Sequence, residues 1–200
     1  LTFLMKAILR IFSIMPLRTD EIANAVFSVA NTLGPDETTI NLFPENANAS
    51  VPKRTTLLEA THGVICSEIR SAGSIAGIFK SATLTGEFSL GNASIESQHL
   101  YCPVCDVRLS GDIESEVIDK LEKTAVAVLE NISWDYGFIT DASVDAGVLQ
   151  YPFGYSIGIP RVFWSNYLGE KYSNLINVPR LRQNEFRITA VPHGNRMTLP

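Results

Sequence analysis

The apolar and polar positions divide the chain into segments of two periods. "KAILRIFSI" (6–14) is a near-continuous apolar run and reads as a first strand. Thr19 is the expected cap of a helix through "DEIANAVFSVANTL", whose Ile22, Ala25, Val26, Val29 and Leu33 share one face. Gly34-Pro35 ends that helix. "TTINLF" (38–43) has strand composition, and "PENANASVP" (44–52) is a polar loop. Segment 54–73 fits two readings. Leu58, Ile65, Ile69 and Ala72 suit a helix interrupted by Gly63, while "GVICSEIRS" also alternates as a strand. Between 78 and 109, "FKSATLTGEFSL" and "SIESQHLYCPVCDVRL" read as strands or hairpin arms, with Gly86 and Gly91-Asn92 as turn signals.

The clearest helix runs from Ser110 or Asp112 to about Asn131. Ile113, Val117, Leu121, Ala125, Val128 and Ile132 form its apolar stripe. "DYGFITDASV" (135–144) reads as a strand and "LQYPFGYSIGIP" (149–160) as a loop. Pro160 is placed to begin a helix through "RVFWSNYLGEKYSNLI", and "EFRITAVP" and "RMTLP" close the chain as short strands. No repeat or low-complexity linker interrupts the pattern. The expected fold is α+β: one domain over 1–200, with a mixed or antiparallel sheet packed by three to four helices. Met5 is read as a natural start, with residues 1–4 lying upstream of it.

Composition narrows the function. The 200 residues are 46% hydrophobic and 18% charged, with net charge −5 and pI near 5.2. That is ordinary globular composition without the basic surface that nucleic-acid binding requires. The N-terminal apolar stretch is interrupted by Lys6 and Arg10, and no uncharged run is long enough to cross a bilayer. A cytoplasmic protein is expected, without a membrane or nucleic-acid partner, and the Asn-x-Ser sequences at Asn48, Asn92 and Asn131 are then chance matches. Three cysteines do not make a disulfide framework.

Three constellations carry candidate chemistry. "HLYCPVC" (99–105) holds His99, Cys102 and Cys105, with the letters of a thiol redox pair or of three zinc ligands. Redox activation needs a helix directly behind the motif, and Asp106 adds an opposing negative charge. Zinc needs a fourth ligand, for which His62 and Cys66 are the candidates. The simplest reading is a partly buried strand, since free cysteine packs as a small apolar residue. "GYSIG" (154–158) fits the G-x-S-x-G pattern around Ser156, and His193 is the sole downstream histidine. Prolines on both sides nevertheless oppose a strand–turn–helix elbow. No catalytic site is complete, so no enzyme activity and no cofactor are expected.

The remaining candidate is electrostatic. Segment 112–131 carries six carboxylates against two lysines, a charge of −4 out of −5. Such a face is ordinarily a solvated surface, and it also suits docking of a basic protein. Asp112, Glu116, Asp119 and Glu122 are the expected contact residues. Segment 180–196, with four arginines, is positioned by charge to meet an acidic helix of this chain or another copy.

"WDYGFIT" (134–140) followed by "GIPRVFWSNYLGEKYSNLI" (158–176) resembles immunity proteins of bacterial polymorphic-toxin and type VI secretion systems, nearest to the immunity family numbered fifty-two. The resemblance rests on Trp164, Asn166, Tyr167, Leu168 and Gly169, with Tyr172 and Ile176 after them, and covers about a third of the chain. It implies a non-catalytic antitoxin that binds a cognate toxin, in some systems a nuclease, and neutralises it. Helical spacing would put Trp164, Tyr167, Leu168 and Ile176 on one apolar face.

Overall fold

The structure is a computed structural model that describes residues 4–42, 53–92, 103–143, 163–175 and 177–199. Among the described residues, ten strands form one sheet in the order β3-β2-β4-β5-β6-β1-β7-β8-β10-β9, and every pairing in it is antiparallel. At its middle lies β1 (Met5–Phe12), paired with β6 (Cys105–Gly111) on one side and β7 (Tyr136–Asp141) on the other. Ala7, Leu9 and Ile11 point to one face and Ile8, Arg10 and Phe12 to the other, and all six are buried. That is why the run is almost continuously apolar instead of alternating.

Three helices cover one face. In α1 (Thr19–Leu33) the expected stripe Ile22, Ala25, Val26, Val29 and Leu33 is buried throughout. Thr19 is the first helical residue, not the cap; Arg18 holds the cap position, and its backbone N–H donates to the Glu21 carboxylate at 2.8 Å. Gly34, at φ 138°, ends the helix. Segment 54–73 resolves the ambiguity by dividing. β3 (Lys53–Thr56) and a short 3-10 turn lead to α2 (His62–Ala72), capped by the Thr61 hydroxyl and ended by a left-handed Gly73. Gly63 falls in the first turn of α2, where it interrupts little. α3 (Glu114–Leu129) buries Val117, Leu121, Ala125 and Val128 as expected. Ile113 precedes the helix and is 55% exposed, whereas Ile132 beyond its end is buried. The apolar faces of the three helices interlock with Ile40, Ile75, Phe79, Phe88, Leu90, Val107, Leu109 and Ile139 of the sheet in one aliphatic core.

The hairpin expected from "FKSATLTGEFSL" is β4 (Ser74–Lys80) with β5 (Leu84–Gly91). β2 (Thr38–Leu42) pairs with β3 and β4, toward one edge. The expected helix at 160–176 is overturned for most of its length. Ser165–Gly169 is strand β8, paired with β7 and with β10 (Gly194–Thr198), and only Glu170–Leu175 is helical, as α4. Alternation therefore sends Tyr167 into the helix-side core and Leu168 to the opposite face. Trp164 is half-buried against the helix-side core, and Ile176 lies outside the described residues. A further short helix, α5 (Val178–Gln183), precedes the edge strand β9 (Arg187–Val191).

The second face of the sheet is split. Over β1, β7, β8 and β10 it carries a second cluster: Phe12, Tyr136, Phe138, Leu168 and Met197 under Phe163 and Tyr172. Phe138 and Phe163 stack with ring centroids 4.1 Å apart. The Asn166 side chain bonds both backbone groups of Phe163 and accepts from the Tyr136 hydroxyl. Over β4, β5 and β6 the same face carries Ile78, Lys80, Thr85, Glu87, Ser89 and Arg108 exposed, with Asp106 and Ser110 half-buried among them.

Candidate functional site

Period-two alternation places Ala76, Ile78 and Lys80 of β4, Thr85, Glu87 and Ser89 of β5, and Asp106, Arg108 and Ser110 of β6 on this half, which no element among the described residues covers. Cross-strand register sets Glu87 opposite Arg108 and Ile78 opposite Glu87. The charges are linked in a line. Arg10 Nε donates to Asp106 Oδ2 at 2.9 Å, Arg108 Nε to Asp106 Oδ1 at 3.2 Å, and Arg108 Nη1 lies 3.7 Å from Glu87. Side-chain exposure along that line rises from 3% for Arg10 and 15% for Asp106 to 51% for Arg108 and 64% for Glu87. The Asp106 carboxylate thus holds Arg108 by its base and is itself fixed by a buried guanidinium. Fixing one end of a side chain lowers the entropy lost when the other end binds.

Two shallow depressions adjoin on this surface and share Ile78, Glu87 and Arg108. One, of about 310 Å³, reaches toward Asn41 and Ser89; the other, of about 520 Å³, reaches toward Lys6, Lys80 and Thr85. Ile78 is 38% exposed where they meet. The half-open Ile78 is thus ringed by Lys80, Glu87 and Arg108, and of these arginine is the type enriched at protein interfaces. The signal in the sequence was weak: Arg10 within an apolar strand, and the Asp-x-Arg alternation of "CDVRL".

The four acidic residues expected on the helix side do not form one free face. Glu116 accepts from the Thr83 hydroxyl at 2.8 Å. Glu122 accepts from the Ser165 hydroxyl at 2.9 Å and pairs with Arg196 at 2.9 Å, the contact anticipated between the basic C-terminal segment and an acidic helix. These two carboxylates fasten α3 to the sheet. The neighbouring Tyr167 hydroxyl is pushed above the usual phenol range, first by burial and then by the Glu122 charge. Asp119 pairs with Lys123 one turn on at 2.7 Å, and Asp112 stands exposed beside a depression that includes Lys6 and Asp141.

The cysteine motif is only partly within view, since His99 and Cys102 lie outside the described residues. Cys105 is a free, fully buried thiol on β6, facing the helix-side core. Burial pushes its thiol up and the Asp106 charge adds to the effect, in the direction anticipated from the sequence. His62 and Cys66 do lie together on one side of α2. Among the described residues, no group of three or more histidine, cysteine, aspartate or glutamate side chains is arranged to hold a metal. Ser156 lies outside the described residues. His193 sits at φ 59° in the turn between β9 and β10, beside a hollow of about 370 Å³ shared with Trp134, Glu130 and Glu170. No helix among the described residues is long and apolar enough to cross a membrane.

No family model matches the chain, and no curated protein matches its sequence. Among solved structures the fold is similar to that of "Pseudomonas aeruginosa T6SS protein PA0821", with a TM-score of 0.60 and 10% identity. The likeness extends over 98% of this chain and 65% of that one, so this chain spans about two thirds of the length of its structural neighbour. At that identity what is shared is the fold.

Proposed function

We propose that the chain is a non-catalytic immunity protein of a bacterial type VI secretion system. In this reading it binds a cognate toxin in the cytoplasm and neutralises it by occupying a surface of the toxin. The observation that carries the proposal is the likeness of nearly the whole chain to a protein of that system. The resemblance of its C-terminal third to immunity proteins is a separate pointer. The contact surface in this proposal is the uncovered half of the sheet, centred on Ile78 and Arg108, because its charges are fixed from below and its apolar centre is open. Asp112 and Asp119 form the competing surface on the helix side.

Growth rescue and affinity test the two parts separately. Co-expression with a candidate toxin taken from an adjoining reading frame is expected to restore growth of a sensitive host; failure of rescue overturns the immunity role. Double reversal at Lys80 and Arg108 to glutamate is expected to weaken toxin binding by roughly thirtyfold or more, the scale of interface hot spots. Reversal of Asp112 and Asp119 to lysine is the comparison. If that second pair abolishes binding while the first leaves it unchanged, the interface lies on α3. The alternative of an oxidoreductase built on Cys102 and Cys105 has against it the burial that pushes the Cys105 thiol up, and a zinc-stabilised domain has against it that Cys105 packs in the aliphatic core.

A further inference from the structure

On the helix side, away from the proposed toxin surface, three side chains converge on one imidazole. His62 opens α2 and Cys66 follows one turn later, so that His62 Nδ1 stands 3.5 Å from Cys66 Sγ. From α1, Asn24 Oδ1 stands 3.3 Å from the other ring nitrogen, Nε2. Phe27, three residues further along α1, stacks on the imidazole with centroids 6.1 Å apart and planes inclined by 9°. In the tautomer that donates Nε2–H to the Asn24 amide oxygen, the Nδ1 lone pair faces the thiol. Phe27 fixes the plane of the ring and Asn24 its rotation. A nucleophile, a base within reach and a third group orienting the base are the parts that activate a thiol.

We propose that Cys66 is a modifiable nucleophilic thiol, with His62 as its proton acceptor and Asn24 as a positioning residue, that reacts with small sulfur electrophiles such as low-molecular-weight disulfides and thiosulfonates. Cys66 is 6% exposed, so a small reagent is the fitting probe. In the step, the Sγ–H proton passes to His62 Nδ1 and the freed sulfur pair forms an S–S bond with the electrophilic sulfur. The bond from that sulfur to its leaving group breaks, and the pair departs with the group as a thiolate or sulfinate. The proton on His62 is then released to the leaving group or to solvent. Cys66 sulfur is oxidised and the leaving group reduced, so no further oxidant is needed. Because Cys66 belongs to the core between sheet and helices, the adduct enters the packing there instead of decorating the surface.

The test uses methyl methanethiosulfonate on the full chain at neutral pH, with timed quenching and peptide mass spectrometry. Cys66 is expected to be modified faster than the buried Cys105 by roughly tenfold or more, and His62→Phe, which keeps a ring against Phe27, to slow Cys66 by a similar factor. Asn24→Leu is expected to slow Cys66, and Asn24→Asp, which keeps an acceptor for Nε2–H, to restore the rate. Circular dichroism establishes that each variant is folded; if His62→Phe is not, His62→Gln, which removes the base without adding bulk, takes its place. Equal rates for the two cysteines, or wild-type reactivity of Cys66 in folded His62→Phe, would overturn the proposal.

Discussion

The two halves of the sheet's second face share one pleat and one hydrogen-bond ladder, yet one is buried and the other open. Over β7, β8 and β10 the positions are Tyr136, Phe138, Leu168 and Met197, and they are covered. Over β5 and β6 the equivalent positions are Thr85, Glu87, Ser89 and Arg108, which are exposed, with Asp106 half-buried between them. Burial here follows the side chains, because covering a charged row would require desolvating it without enough partners. β1 is the seam. Its Arg10 lies between Asp106 on one neighbouring strand and Phe138 on the other, buried among apolar residues on one flank and ion-paired on the other.

The largest expected effect lies on the covered side. Phe138→Ala removes a fully buried ring stacked on Phe163 and should cost about 3–5 kcal/mol in urea unfolding. A loss below about 1 kcal/mol would mean that the aromatic cluster contributes little to the fold. At the seam, Asp106→Ala takes from the buried Arg10 the carboxylate it is bonded to, at a cost of about 3 kcal/mol by the same measurement. Across the sheet, Glu122→Gln keeps an acceptor for Ser165 but removes the charge paired with Arg196; about 1 kcal/mol is expected. On the open side, Arg108→Ala should change stability by well under about 1 kcal/mol, since Arg108 itself is half-exposed, while weakening the proposed toxin binding. If Arg108→Ala were as damaging to stability as Asp106→Ala, the distinction between seam and surface would fail.

The smallest effect depends on pH. Burial by itself would raise the Glu21 carboxyl, but hydrogen bonds from the Arg18 backbone and from Ser133, with the Arg18 charge, outweigh it and hold the group below its usual range. Its folded value therefore lies below its unfolded one. The stabilisation is fully present above the ordinary carboxylate range and is lost as pH falls through the lowered folded value. The Tm advantage of the native chain over Glu21→Gln should accordingly shrink on acidification. An advantage that grows in acid would contradict the hydrogen-bonded cap.

Local periodicity made α1, α3, β1 and β7 legible, because each buries a stripe that one period explains. β8 was not, for an equally physical reason. In "FWSNYLG" the large residues fall at spacings that satisfy both the helical and the alternating pattern, and pairing with β7 and β10 decides between them. Glycine argues the same way: a side chain on Gly169 would run into the backbone at Trp134 and Asp135, a tertiary contact that no local window contains. The candidate surface was hidden because Arg10 and Asp106 are 96 residues apart. The acidic helix was conspicuous in composition, but the partners that occupy Glu116 and Glu122 come from Thr83, Ser165 and Arg196, which sequence proximity does not connect.

The central place of β1 also bears on how the chain is made. Its partners are residues 105–111 and 136–141, so during synthesis an apolar strand leaves the ribosome long before either neighbour exists to pair with it. Closing such distant pairs is slow, and the waiting strand is the segment a chaperone would have reason to hold. α1 can form beside it early, but the sheet closes around β1 only when β6 and β7 have both arrived. β1 is therefore seated only after both of its distant partners have been made, and a nascent chain that stops short of β7 still exposes an unpaired apolar edge.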